Sequence, residues 1–206
     1  MNVLMINGSP HEDGCVFTAL SEVAKEINNA GIDTNIFHIG NQAIYGCTGC
    51  VACRTTQRCV YTDDRVNEAI ELLVKADGLV VGSPVYYGSA NGALCSFLDR
   101  MFFAKARPYA YKPAAAFVNY RRGGAATAFD RLNKYFTISN MPVVPSQYWN
   151  ATHGRTVEEV LQDEEGMQVM RTLGRNMAWM VKNIALGAKD NPSPKPEKRI
   201  MTNFIR

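Results

Sequence analysis

The sequence predicts a three-layer α/β fold, a doubly wound parallel sheet of five strands in the order 2-1-3-4-5. Three observations carry this. Apolar runs of strand length alternate with amphipathic helical stretches, the βαβ rhythm of a parallel sheet covered on both faces. The run Leu79–Gly82 has no polar side chain, as a strand buried on both sides requires. Glycine-bearing loops follow the first, third and fourth runs, at the strand ends where such folds bind ligands.

The elements follow in order. Val3–Ile6 is a short buried strand. Val16–Asn29 has helical spacing through Phe17, Leu20, Val23, Ala24 and Ile27, with Gly31 as its stop. Thr34–Ile39 alternates as the second strand. A long loop, Gly40–Thr62, holds most of the cysteines. The second helix is expected from Asp63, where Thr62, Asp63 and Asp64 offer cap oxygens, with Ile70, Leu73 and Val74 facing inward. The third strand leads through Ser83–Asn91 into a helix from about Gly92 to Ala104. Ala114–Asn119 is the fourth strand, Ala125–Ser139 the fourth helix, and Pro142–Pro145 a short fifth strand. Glu158–Leu186 is a long helical region. Residues 1–188 thus read as one domain, and the proline- and lysine-rich stretch 189–206 as a C-terminal arm.

Composition narrows the function. The 206 residues are 47% hydrophobic and 20% charged, an ordinary globular balance. A net charge of +3, scattered along the chain and without interleaved aromatics, argues against nucleic acid and anionic membranes. No stretch approaches the ~20 apolar residues of a membrane helix. Residues 2–7 run into a glycine turn without a cationic leader, so a cytoplasmic setting is expected. Four of the six cysteines fall between Cys47 and Cys59, which reads as a metal or redox site rather than a disulfide scaffold.

Three loops are candidates for the chemistry. In the first, Asn7–Cys15, glycines allow a tight turn, and backbone N–H groups at a helix N-terminus make a phosphate cradle. Ser9 and Thr18 can add hydroxyls. There is no G-x-x-x-x-G-K-[ST] for a nucleoside triphosphate and no G-x-G-x-x-G for a dinucleotide. The C-x5-R of a tyrosine phosphatase is also missing, because Ser21 stands where its Arg would. A monophosphate cofactor remains. In the second loop, Pro84, Val85, Tyr86, Tyr87 and Gly88 supply flat apolar surface and close backbone approach for a ring. The third, Asn119-Tyr120-Arg121-Arg122-Gly123-Gly124, could close over that ring. Arginine pairs bidentately with phosphate, so Arg121 and Arg122 are expected to assist a phosphate-bearing co-substrate rather than hold the bound cofactor.

Gly8-Ser9-Pro10, Gly14, the cysteine loop ending in Thr62-Asp63-Asp64, Gly82-Ser83-Pro84-Val85-Tyr86 and Phe97-Leu98-Asp99-Arg100 resemble the NADPH-dependent FMN reductase superfamily. Within it they are most similar to the iron–sulfur flavoproteins. The resemblance runs from residue 2 to about 125, and more weakly to about 186. It implies a flavodoxin-like fold and FMN, with the phosphate on Ser9, Pro10, His11, Cys15, Val16, Phe17 and Thr18. It implies the isoalloxazine on residues 84–89 and a contact from Asn119, Arg121, Gly123 and Gly124. Two departures stand out: His11 where the family often has Arg, and Cys15-Val16 where it often has Asn-Thr or Asn-Ser. These leave more of the phosphate to backbone N–H groups and imply weaker FMN binding.

The cysteines read Cys47-x2-Cys50-x2-Cys53-x5-Cys59. Such spacing can wrap one face of a cubane and complete four thiolates, while zinc more often takes two separated C-x2-C pairs. Bare thiols, a [4Fe–4S] cluster and zinc all stay open; the resemblance implies the cluster. Cys95, on an apolar helix face, reads as a core thiol. His38 and His153 show no partner pattern.

The expected activity is transfer of electrons from NAD(P)H through FMN to a quinone or other small acceptor. The rivals are an electron carrier coupling FMN and a [4Fe–4S] cluster to a ferredoxin-type partner, and a flavin-free interaction module. No acid–base residue is required. Ile200–Ile205 is expected to dock on a neighbouring subunit, giving a homodimer or homotetramer.

Overall fold

The computed structural model describes residues 1–206 except 106, 199, 203, 205 and 206 and the side chain of residue 107. Five strands form the parallel ladder: β1 (Asn2–Asn7), β2 (Asp33–His38), β3 (Gly78–Tyr86), β5 (Ala114–Tyr120) and β6 (Ala151–His153), in the order β2-β1-β3-β5-β6. The short β4 (Ser89–Ala90) folds back antiparallel on the end of β3. Counting parallel strands alone, this is the expected 2-1-3-4-5 order.

Strand alternation divides the core in two. Leu4, Ile6, Leu79, Val81, Ala114, Ala116 and Val118 face α3 (Val66–Lys75), α4 (Gly92–Lys105) and α5 (Ala125–Ile138). Val3, Met5, Val80, Ala115 and Phe117 face α1 (Cys15–Asn29) and α7 (Glu164–Gly187). The two helices on that side pack closely because Gly174 carries no side chain: a Cβ there would lie 2.6 Å from the Val23 carbonyl. Arg171–Glu22 (2.9 Å) and Arg175–Glu26 (2.8 Å) flank this contact.

Three elements differ from the sequence-based expectation. Pro142–Pro145 is not a ladder strand. Val144 N–H donates to the Ala114 carbonyl and Pro142 accepts from Ala114 N–H, leaving a single bridge. The two prolines cannot donate further bonds, so the chain leaves the sheet and Ala151–His153 pairs with β5 instead. Helix α3 begins at Val66 rather than Asp63, because Asp64 turns back to accept Val66 N–H (3.1 Å) and also pairs with Arg100. The long C-terminal helix is broken at Asp163 into α6 (Val157–Gln162) and α7. Asp163 Oδ1 caps α7 by accepting Gly166 N–H at 3.0 Å, and Thr156 caps α6. The cysteine loop also contains a short helix, α2 (Cys53–Thr56).

No described helix is long and apolar enough to cross a membrane. In the C-terminal arm Ile200, Met201 and Phe204 are exposed, and residues 203 and 205 of the expected docking segment lie outside the described residues.

Candidate functional site

The loop after β1 is built by its own side chains. Asn7 is buried at the strand end. Its Oδ1 accepts Ser9 N–H (3.1 Å) and its Nδ2 donates to the Glu12 carbonyl (2.9 Å). Ser9 Oγ accepts His11 N–H (3.0 Å), and His38 Nε2 lies 2.8 Å from the Ser9 carbonyl. Gly8 N–H donates to the Gly82 carbonyl (2.9 Å), locking the loop to β3, and a Cβ on Gly8 would lie 2.4 Å from Leu94. Asn91 ties in the next loop, donating to the Gly8 carbonyl (2.8 Å) while its own N–H reaches Ser83 Oγ (3.0 Å).

Helix α1 then opens with Gly14 as its N-cap. No side-chain oxygen caps it and no acidic residue stands in its first turn. The first-turn N–H groups therefore keep their positive partial charge for an outside anion. Val16 can serve only through its backbone, since its side chain is 1% exposed and packs in the core, while Cys15 and Phe17 are half-buried. Thr18 Oγ1 donates to the Gly14 carbonyl (3.2 Å), supporting the cap. His11 lines the shallow recess beside Pro10 and His38. Burial raises the Cys15 thiol above its ordinary range, and the carboxylates of Glu159 and Glu158 add to this.

The second loop is a tight hairpin. Val85 pairs with Ala90 and Tyr86 with Ser89, leaving Tyr87 (φ 51°) and Gly88 (φ 72°) as a two-residue turn with both φ positive. Tyr87 is wholly exposed and packs on nothing, and Tyr86 is 44% exposed. Both rings are thus free at the ligand end of the sheet. The third loop presses on this turn. Gly124 (φ 84°) admits no side chain, because a Cβ would lie 2.6 Å from Gly88 Cα, and Thr127 Oγ1 donates to the Gly88 carbonyl. Asn119 Nδ2 donates to the Thr152 carbonyl (3.2 Å) and Oγ1 (3.1 Å), fixing β5 to β6. Arg121, Arg122 and Gly123 are exposed. The structure thus brings the three expected loops together. It adds Asn7, His38 and Asn91 as the residues that fix their shape. An Asn ending a strand just before a glycine turn was the available signal for Asn7; His38 had none.

The four cysteines line one small recess with Tyr61, Arg100 and Phe103. Cys53 is buried, Cys59 half-buried, and Cys47 and Cys50 exposed; all are free thiols. Burial raises the Cys53 thiol, and the other three thiols would raise it further on ionising. Arg100, 2% exposed, organises the wall. It donates from Nε to Cys59 Sγ (3.1 Å), pairs with Asp64, and lies 5.0 Å from the Tyr61 ring. Burial lowers the Arg100 pKa, but Asp64 and Cys59 outweigh this, so it stays charged. The thiol set has the chemistry of a cluster site. Among the described residues, however, no three Cys, His, Asp or Glu side chains are drawn together as metal ligands, so the arrangement does not present a formed cluster site.

The sequence pattern of the family described as NADPH-dependent FMN reductase matches residues 1–156. The chain belongs to this family. The open N-terminus of α1 and the adjoining loops fit FMN, and this FMN reductase family member is an FMN-dependent oxidoreductase. It is similar to an iron–sulfur flavoprotein of Methanocaldococcus jannaschii, with 29% identity over 89% of this chain and 99% of the relative. A second iron–sulfur flavoprotein of that organism is 30% identical over 85% and 94%. Among solved structures, a flavodoxin from the domain Archaea (TM-score 0.61, 15% identity, 88% of this chain and 99% of that one) shares the fold. So does an NAD(P)H:quinone oxidoreductase from Methanothermobacter marburgensis (TM-score 0.67, 16% identity, 86% and 98%).

Proposed function

We propose that this protein passes electrons from NAD(P)H through FMN to a quinone or another small acceptor. The observation that carries the reading is the meeting of three loops, after β1, β3 and β5, beside the uncapped first turn of α1. FMN held there would supply the redox chemistry, namely two-electron exchange with a nicotinamide and with the acceptor. The protein's part is to bind and orient. First-turn N–H groups of α1 and Ser9 hold the phosphate. The rigid Tyr86–Gly88 turn and the Gly123–Gly124 segment bound the ring, leaving Tyr86 and Tyr87 on the open side where a second flat molecule can stack. The test is anaerobic: protein loaded with FMN is mixed with NADPH or NADH, and the flavin absorbance is followed before and after adding a quinone. Bleaching followed by recovery supports the reading. A sample that takes up no FMN would make the chain a flavin-free interaction module.

A second reading, an electron carrier with a [4Fe–4S] cluster and a ferredoxin-type partner, is favoured by two things: four thiols lining one recess, and relatives named iron–sulfur flavoproteins. Iron and sulfide content of protein made and kept without oxygen separates the two. Near four irons per chain supports the carrier; none after anaerobic reconstitution leaves the simple reductase.

A further inference from the structure

One thiol of the cysteine recess is gripped at three atoms. The Cys59 N–H donates to Asn67 Oδ1 (2.8 Å), and the Cys59 carbonyl accepts from Asn67 Nδ2 (3.0 Å). Its Sγ accepts from Arg100 Nε (3.1 Å). Asn67 stands on α3 and Arg100 on α4, and both are buried. The grip is itself backed. Asp64 accepts from Nη1 and Nη2 of Arg100, which sets the plane of the guanidinium and leaves Nε aimed at the sulfur. Arg100 also reaches the carbonyls on either side of the thiols, Tyr45 (3.3 Å) and Tyr61 (3.4 Å), and those two rings stack with centroids 5.4 Å apart. Residues 46–60 are thus closed at their base by protein contacts alone.

The outer limb is held differently. Cys47 and Cys50 are exposed. Cys50 sits between Gly49 (φ 67°) and Val51 (φ 54°), and a branched side chain is rarely found in that left-handed region. The recess between the limbs is about 20 Å³, room for a water-sized body. A larger centre therefore needs the recess to open. Cys59 is pinned, so the room has to come from Cys47 and Cys50.

We infer that Asp64, Arg100 and Cys59 form a positioning chain for a thiolate metal centre, in which Cys59 is the pre-set ligand and the other three thiols close upon it. Arg100 is a positioning residue and not a ligand. This rests on the second reading above, in which the thiols hold metal. The logic is that of a carboxylate that orients a metal-bound histidine through a hydrogen bond. Four thiolates on one ion carry excess negative charge, and a charged N–H donor on one sulfur offsets part of it. Asp64 and Arg100 belong to two separate sequence motifs, and the thiol between them is what joins their roles.

The test uses cobalt(II), whose thiolate complexes absorb in the red, clear of oxidised flavin. FMN-loaded protein is titrated with cobalt(II) chloride without oxygen. The unaltered protein should develop tetrathiolate bands at about one ion per chain, and Cys59→Ser should abolish them. Arg100→Lys keeps a charge beside Asp64 but loses the Nε donor. It and Asn67→Ala should each weaken cobalt binding about tenfold or more. In Arg100→Lys the sulfur-to-cobalt charge-transfer band should also move to lower energy, because the sulfur lone pair has lost its N–H donor. An arginine with a merely structural role would not move that band. Val181→Ala, a core truncation on the other face of the sheet, should change neither readout. Should Arg100→Lys fail to fold, Asp64→Asn carries the same two readouts in the same directions. Variants with unaltered affinity and band position would overturn the positioning chain and leave the metal reading standing. Absence of the bands in the unaltered protein would overturn both. If cobalt binds as expected but no iron and sulfide are taken up on anaerobic reconstitution, the cluster reading fails and the positioning chain stands.

Discussion

Arg100 and Cys59 are joined by a hydrogen bond from Nε to Sγ at 3.1 Å, in a pocket where the arginine side chain is 1% exposed. The same guanidinium holds Asp64, just ahead of α3, so one residue of α4 fixes both the end of the cysteine loop and the entry to the next helix. Removing one partner of a buried pair leaves the other charge stranded. Arg100→Met and Asp64→Leu should each cost about 3–5 kcal/mol in urea unfolding. The double variant should recover a good part of the loss. Single variants within 1 kcal/mol of the parent would mean the pair is not what holds this corner.

The open N-cap at Gly14 predicts a trade between stability and cofactor. Gly14 has extended φ and ψ (−88°, −163°), which any residue can adopt. A Cβ there meets only His11, nearest at its Cβ (3.1 Å), so the loop must give by a few tenths of an ångström. Gly14→Asp should stabilise the apoprotein by about 1 kcal/mol, because its carboxylate caps the free N–H groups. The same carboxylate should raise the FMN Kd tenfold or more in flavin fluorescence quenching. Tighter FMN binding in this variant would place the phosphate elsewhere.

Gly124→Ala tests the contact between the second and third loops. The new methyl must displace Gly88 or abandon a positive φ. Weaker FMN binding is expected, together with about 1–3 kcal/mol of lost stability. Unchanged values for both would show that the two loops are not held against each other.

Alkaline pH should unfold the protein through its buried phenols. Burial holds the Tyr109 phenol protonated well above its ordinary range; burial, with help from Asp99, does the same for Tyr135. A folded-state pKa raised above the unfolded value contributes stability fully below about pH 10, lost as pH climbs beyond it. Up to about 1.4 kcal/mol per pH unit is expected from each phenol above that point, read as falling urea midpoints. The Tyr109 hydroxyl has no hydrogen-bond partner among the described residues. Tyr109→Phe should therefore be neutral or stabilising and should flatten the alkaline loss; a cost above 1 kcal/mol would show that the hydroxyl is paired.

The arm of residues 189–206 should mediate assembly. Ile200, Met201 and Phe204 are exposed side chains that a neighbouring subunit would bury. Deleting residues 190–206 should lower the mass seen by light scattering. An unchanged mass would leave the arm without that role.

Much of this was legible in the sequence because it depends on local pattern. Strand alternation and helical spacing mark the elements, their βαβ alternation fits the doubly wound order, and glycine positions mark the three loops. Leu79–Val81 could be only a central strand. What was not legible depends on distant partners. Pro142–Pro145 has the apolar pattern of a strand, but its two prolines have no N–H to give to β5, and one bridge is all that forms. The sequence offers Asp64 as a helix cap, but Arg100, 36 residues away, also claims it. His38 and His153 carried no motif, since each owes its place to a neighbouring strand or loop.

His38 is the last residue of β2, where the chain departs for the cysteine loop, and it is secured from two directions. Its ring lies 2.8 Å from the carbonyl of Ser9, and its own carbonyl accepts from Arg65 at 2.8 Å, where the chain returns. The thiol loop therefore departs from the same clasp that shapes the turn at Ser9, and the parallel pairing of Asn7 with His38 sends both loops away from one edge of the sheet. A rearrangement among the thiols that moved His38 would reach the flavin-phosphate turn through a single imidazole.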